Sequence, residues 1–365
     1  MPSARQRLFG TRPLVIGVVV GSLVMAAACT KAHSSAAPSS STPPVSSAPA
    51  SSASAVATST SPSPSATHAV DPLTGLPATT AAAATRPALA VKIDNVLGAW
   101  PQSGLNQADI VFDLPVEAGL TRLMAVFHSN DVPLIGPVRS ARPVDADLLR
   151  LFGHAYFAFS GGSKSDLAPI MSTSHATPMW WDVTPSLFMT RKDHAVPHQV
   201  FANTAMLYAG GQARTPSKTP PPAIFSYDAT APTGAAHAST VTAKYQSAMA
   251  TWNWDGSKYL RFQDGHPDML MDGTQVSASN IVIMSVSIHD TAAVDSHGSP
   301  VPVPVVTGSG TAWVLRNGVM VKGIWSRANL DAPMKLVTSS GQIIKLTPGR
   351  TWVEVLPNPR QPQIS

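Results

Sequence analysis

Beyond residue 29 the sequence has no cysteine, and the single one it holds is Cys29. Disulfide staples, a thiolate nucleophile and thiolate-ligated metal sites are therefore excluded from the rest of the chain, so the fold must hold by its core alone. No acidic residue precedes Asp71, and the stretch 32–70 also lacks Phe, Tyr and Trp. Long hydrophobic runs are scarce: after Leu14–Ala28 none approaches the roughly 20 apolar residues that a membrane helix needs. A basic surplus is missing too, despite the formal net charge of +5. Four of the 25 Lys and Arg residues (Arg5, Arg7, Arg12 and Lys31) precede Asp71, and the remaining 21 face 20 acidic residues. A nearly neutral folded part has no electrostatic footprint for nucleic acid.

At the N-terminus, Arg5, Arg7 and Arg12 precede the apolar run Leu14–Ala28, which closes on Ala26, Ala27 and Ala28. That is the anatomy of a secretory signal. Cys29 directly after the three alanines resembles a bacterial lipobox, although Ala26 stands where a larger aliphatic residue is commonest. The resemblance implies cleavage before Cys29 and lipid on its thiol, and hence attachment to the outer face of the cytoplasmic membrane. The Ser/Ala/Pro/Thr-rich stretch that follows cannot bury enough surface to offset ordering entropy, and reads as a disordered tether. The expected organisation is a signal peptide at 1–28, a lipid-anchored tether at 29–70, an α/β lobe at 71–211, a linking loop at 212–234 and a mostly β lobe at 235–365.

Within the first lobe, Ala88–Ile93, Ile110–Val116, Arg122–His128 and Ala155–Phe159 have the composition of strands, and Pro143–Phe152 and Ser163–Met171 that of helices. In the second lobe, Asp255-Gly256 lies between Trp252–Trp254 and Tyr259–Phe262, and Asn317-Gly318 between Thr311–Leu315 and Val319–Trp325. Both dipeptides are strong hairpin signals. Ile281–Val286 reads as a buried strand, and Ile343–Leu346 with Thr351–Val355 suggests a third hairpin. The fold class is α+β, an α/β-type lobe followed by a mostly β one.

Six ordered motifs carry a family resemblance: Asp71-Pro-Leu-Thr-Gly-Leu-Pro77, Val91-Lys-Ile-Asp-Asn95, Pro101-Gln-Ser-Gly104, Ala108-Asp-Ile-Val111, Gly136-Pro-Val-Arg-Ser-Ala-Arg-Pro143 and Gly161-Gly-Ser163. With Ala195-Val-Pro-His198 and Gly349-Arg-Thr-Trp-Val353 they resemble the YerB-type lipoproteins, a domain family of unknown function, over nearly all of 71–357. The resemblance implies a location and a two-lobed fold but no activity. Ala118 follows Glu117 where the pattern leads one to expect a second glycine, and Asp113 stands in place of a glutamate.

The strongest candidate for binding is Arg139, Ser140 and Arg142, in a loop just ahead of a helix. Guanidinium forks suit a carboxylate or phosphate. Gly161-Gly162-Ser163 follows a strand, where two glycines allow a sharp turn and Ser163 can cap the next helix, so an anion could sit between the two elements. Asp94, Asn95, Glu117 and Arg122 lie at strand ends, where α/β folds bind ligands. Alternatively, Arg139 and Arg142 pair with Asp94, Asp109, Asp113 or Glu117 inside the lobe. His194 and His198 have the i, i+4 spacing of metal ligands, but Pro197 interrupts the helix that would aim them together, so no metal is expected. No G-x-S-x-G occurs, and no cofactor is called for. Trp180-Trp181, if exposed, could stack on sugar.

Two functions fit this pattern. One is a non-catalytic binding module for an anionic or saccharide wall component or a partner protein. The other is an envelope enzyme acting on wall glycan or peptide, with Asp94, Glu117 or His198 as acid or base.

Overall fold

The structure, a computed structural model of the chain, describes residues 69–81, 83–295 and 298–365. The expected signal peptide, Cys29 and the tether up to residue 68 lie outside the described residues. No helix among the described residues is long and apolar enough to cross a membrane.

The fold is mixed α/β with a mostly β C-terminal part. Its first strands are β1 (Leu89–Asp94), β2 (Ile110–Pro115), β3 (Thr121–Phe127), β4 (Ala155–Phe159) and β5 (Ala176–Trp180), and its helices are α1 (Pro143–Leu149), α2 (Lys164–Ser172) and α3 (Thr204–Arg214). One eleven-stranded sheet runs through both halves of the chain. Its order is 335–337, 319–327, 308–316, 280–286, 351–357, β2, β3, β1, β4, β5, with 236–237 pairing beside 319–327. A six-stranded sheet built on 240–244, 249–254 and 259–263 packs against one face.

Alternation along the strands explains the layering, because successive side chains point to opposite faces. Ile110, Phe112 and Leu114 of β2 join Phe157, Phe159, Val353 and Val355 in a core closed by Val144, Leu148 and Leu149 of α1 and Ile170 of α2. Leu123 and Phe127 of β3 join Ile281, Ile283 and Trp352 on the other face, under Leu207 of α3 and Trp252 and Tyr259 of the smaller sheet. The stretch 215–234 holds no helix or long strand, yet Ile224 and Phe225 are buried in the first core. Asp71 pins the start of the folded part: its Oδ1 accepts from the Leu73 and Thr74 amides at 2.9 and 3.1 Å, and its Oδ2 meets buried His128 Nδ1 at 2.5 Å.

The two expected hairpins form around Asp255-Gly256 and Asn317-Gly318. Asn317 and Gly318 take φ of 50° and 72°, the left-handed geometry that the right-handed twist of the flanking strands demands. The third hairpin does not form. Thr351–Pro357 instead pairs in parallel with β2 on one side and with 280–286 on the other. Ile343 bridges to Val337, and Leu346 to Tyr227. The reason is burial: Thr351–Leu356 has no exposed position, which suits the middle of a two-faced sheet rather than a surface ribbon.

Candidate functional site

Strands β1, β2, β4, β5, 280–286 and 351–357 all run in one direction, so their C-terminal ends share one edge of the sheet. That edge is where open α/β sheets place ligands. Asp94 ends β1, Glu117 follows β2, Arg122 lies near the start of antiparallel β3, and Gly161-Gly162-Ser163 follows β4. The segment 139–141 is stitched between β1 and the loop after β4. Arg139 N donates to Lys92 O at 2.8 Å, Ser160 N to Arg139 O at 2.9 Å and Ala141 N to Gly161 O at 3.0 Å. Ser163 is the N-cap of α2, accepting from Asp166 N at 3.1 Å, while the Asp166 carboxylate reaches back to Ser163 N. The α2 N-terminus thus already holds an anion of its own.

Most of the charges brought together here are mutually paired. Arg142 forks across Glu117, with Nη2–Oε2 at 2.9 Å and Nε on Oε1, and its Nη1 lies 3.7 Å from Asp166. Buried Lys92 donates to Asp145 of α1 at 2.7 Å. Asp94 Oδ2 receives His198 Nδ1 at 2.8 Å and lies 2.9 Å from Arg139 Nε, an ion contact that lacks hydrogen-bond angles. Burial alone would push the Asp94 carboxyl up, but the His198 hydrogen bond and the Arg122 and Arg139 charges hold it below its usual value. At Glu117, burial is likewise outweighed, here by Arg142. Burial lowers Lys92, and Asp145 offsets only part of the shift.

Arg122 differs from the rest. Its guanidinium is buried, Nη1 donates to Ser140 O at 2.9 Å, Nε has no partner, and no carboxylate lies within ion-pair distance among the described residues. Burial, then the neighbouring Arg142 charge, pushes it down to about 10. Arg139, whose side chain is 26% exposed, is the more accessible arginine, and Gly162 and Ser163 are exposed beside it.

Of the expected site residues, Asp94, Glu117, Arg122, Arg139, Ser140, Arg142, Gly161, Gly162, Ser163 and His198 do gather at this edge. Asn95 turns inward, donating to Thr121 Oγ1 at 2.8 Å and accepting from Gln102 at 3.2 Å. The expectation that Arg142 offers its fork to a ligand is corrected, because Glu117 occupies that fork. Glu117 is equally unsuited as an acid or base, since the same contact holds its carboxyl low. Asp109 and Asp113 bind neither arginine. Asp109 accepts from the His128 and Ser129 amides at 2.6 and 2.9 Å, and Asp113 pairs with Arg261 at 2.7 Å. His194 and His198 also diverge, His194 Nε2 reaching Pro101 O at 3.3 Å while His198 holds Asp94. Trp180 stacks on Phe159 and Trp181 packs edge-on to Phe188, so both half-buried rings serve the core.

Sequence reasoning missed Lys92, Asp145 and Asp166. A charged Lys inside an otherwise apolar strand was a signal, since an unpaired ammonium is not buried. A second buried cluster was missed entirely. Between the two sheets, Arg261 bonds Asp113 and Asp268 and lies 4.8 Å above the Trp352 ring. Glu354 sits beside it, fully buried, with Trp252 Nε1 and Tyr245 OH each at 2.8 Å. Burial and the Asp113 charge push Glu354 up to about 8.

Two models of one protein family match the chain. Its N-terminal domain (DUF3048, protein of unknown function) covers 73–217, and its C-terminal domain covers 239–353. The chain belongs to this two-domain family of unknown function. Among its relatives is the Bacillus subtilis (strain 168) protein named "Putative lipoprotein YerB", 27% identical over 297 residues, which span 79% of this chain and 86% of that protein. The crystal structure of YerB from Bacillus subtilis matches with a TM-score of 0.69 at 25% identity, covering 80% of this chain and 98% of that one. The YerB-type resemblance carried by the motifs therefore holds over both halves of the described fold.

Proposed function

We propose that the chain is a cell-envelope lipoprotein, held at the outer face of the cytoplasmic membrane by lipid on Cys29. Its folded part is a non-catalytic binding module that receives an anionic group of a wall component or envelope protein at the edge where β1 ends. What supports the anchor is the arginine-led apolar run ending at Cys29 and the lipoprotein name of the relative. The single observation behind the binding reading is Arg122, a buried guanidinium left without a carboxylate beside the half-exposed Arg139. An external anion would give Arg122 the direct ionic partner that it lacks among the described residues, where the neighbouring carboxylates contact Lys92, Arg139 and Arg142 instead.

A second reading, an envelope enzyme acting on wall glycan or peptide, draws on His198 alone, whose ring is oriented by Asp94 as a general base would be. Thermal-shift screening of wild type and Arg139→Gln against acidic wall fragments tests the binding reading. A ligand should raise the melting temperature of the wild type only, and equal shifts in both proteins would refute the site.

A further inference from the structure

Resting on the reading of Arg122 and Arg139 as an anion site, we propose that the group received there is a phosphate ester, and that His198 meets it through Nε2. His198 Nδ1 and Arg139 Nε stand on the same oxygen, Asp94 Oδ2, at 2.8 and 2.9 Å, so imidazole and guanidinium lie side by side. Asp94 fixes the proton on Nδ1 and leaves Nε2 to accept a proton or, in the charged ring, to donate one. Nε2 has no hydrogen-bond partner among the described residues, and the His198 side chain is 14% exposed.

Gly98 lies close beside that nitrogen. Gly98 does not adopt a positive φ, yet a Cβ on it would come 3.0 Å from His198 Nε2. The backbone there does not require glycine; the close contact with the imidazole does.

The donor set points to phosphate rather than carboxylate. A carboxylate has two coplanar oxygens and is satisfied by one guanidinium fork, which this site already shows internally at Arg142 and Glu117. Here donors come from three separate segments: β3 through Arg122, the loop before α1 through Arg139, and the loop before 200–201 through His198. A phosphate ester offers several acceptor oxygens, enough to meet donors arriving from separate segments.

Calorimetry on the full chain in detergent, with inorganic phosphate and acetate as probes, tests this, together with nitrogen NMR of histidine-labelled protein. Phosphate should bind saturably and about tenfold tighter than acetate, and should shift the His198 Nε2 resonance. His198→Ala should remove about tenfold of phosphate affinity and leave acetate binding unchanged. Gly98→Ala, whose methyl would crowd His198 Nε2, should weaken phosphate several-fold with the melting temperature near that of wild type. Acetate binding as tightly as phosphate, or both variants binding phosphate like wild type, would overturn the assignment while leaving the anion site standing. If Arg139→Gln changes neither ligand, or the wild type binds neither, the anion reading itself falls, and this proposal with it.

Discussion

Arg142 grips both carboxyl oxygens of Glu117, joining the residue that caps α1 to the turn that follows β2. Both side chains are nearly buried, at 11% and 6% exposure. The pair is a clamp across the sheet edge, and its worth lies mainly in what remains when it is broken. Arg142→Ala would leave a buried carboxylate uncompensated, at a cost of about 3 kcal/mol. The melting temperature should fall by about 5 °C in calorimetry. A shift within error of zero would show that the pair is solvated.

Glu354 makes stability depend on pH in the direction opposite to most carboxylates. Its folded value is raised to about 8, above the ordinary 4.5, so the folded state binds the extra proton between those limits. Stability from this group is complete below about pH 4.5 and is lost as pH rises towards 8. Asp109, pushed up to about 6 by burial and the Asp71 charge, adds the same sign over a lower window. Urea unfolding at pH 6 and pH 9 should show a less stable protein at pH 9. Glu354→Gln, which resembles the protonated acid, should shrink the difference, and equal pH dependence in both proteins would count against a neutral Glu354.

Ala118 occupies φ 58°, ψ 17°, the left-handed region, in the turn that carries Glu117. Its Cβ is a burden there, while its exposure means that little packing is lost on removing it. Ala118→Gly should raise stability by up to about 1 kcal/mol, seen as a higher urea midpoint with unchanged slope. A lower midpoint would mean that the glycine's extra chain entropy outweighs the strain relieved.

Local signals made much of this fold legible. Ala155–Phe159 is legible to the residue, β1 to β3 within one, the Asn317-Gly318 turn by its left-handed preference and the Asp255-Gly256 turn by its glycine. Strand β5 escaped notice because Pro178 interrupts it, and α3 because Gly210-Gly211 weakens its helical pattern; those glycines are explained by Leu187 and Tyr156 packing against them. The insertion of 351–357 between β2 and 280–286 is a pairing across more than half the folded chain, which no local periodicity records. For the site, motifs at strand ends pointed to the correct edge. Which arginine was free was not readable, because it depends on which carboxylates α1, α2 and the turn after β2 bring within reach.

On the proposed lipid attachment, Cys29 governs location independently of the fold. Cys29→Ser should move the protein from the membrane pellet to the soluble fraction, or leave it with its signal uncut. Unchanged membrane retention of a processed variant would refute lipid attachment at this position.

The most direct test of the anion site is to compare Arg139→Lys with Arg142→Lys, measuring phosphate affinity by calorimetry and melting temperature on the same samples. Lysine keeps the charge but loses the fork. Arg139→Lys should weaken binding severalfold and leave the melting temperature nearly unchanged, whereas Arg142→Lys should lower the melting temperature by several degrees with affinity intact. Unchanged affinity in Arg139→Lys, with its melting temperature lowered instead, would contradict the account and make this edge a structural charge network.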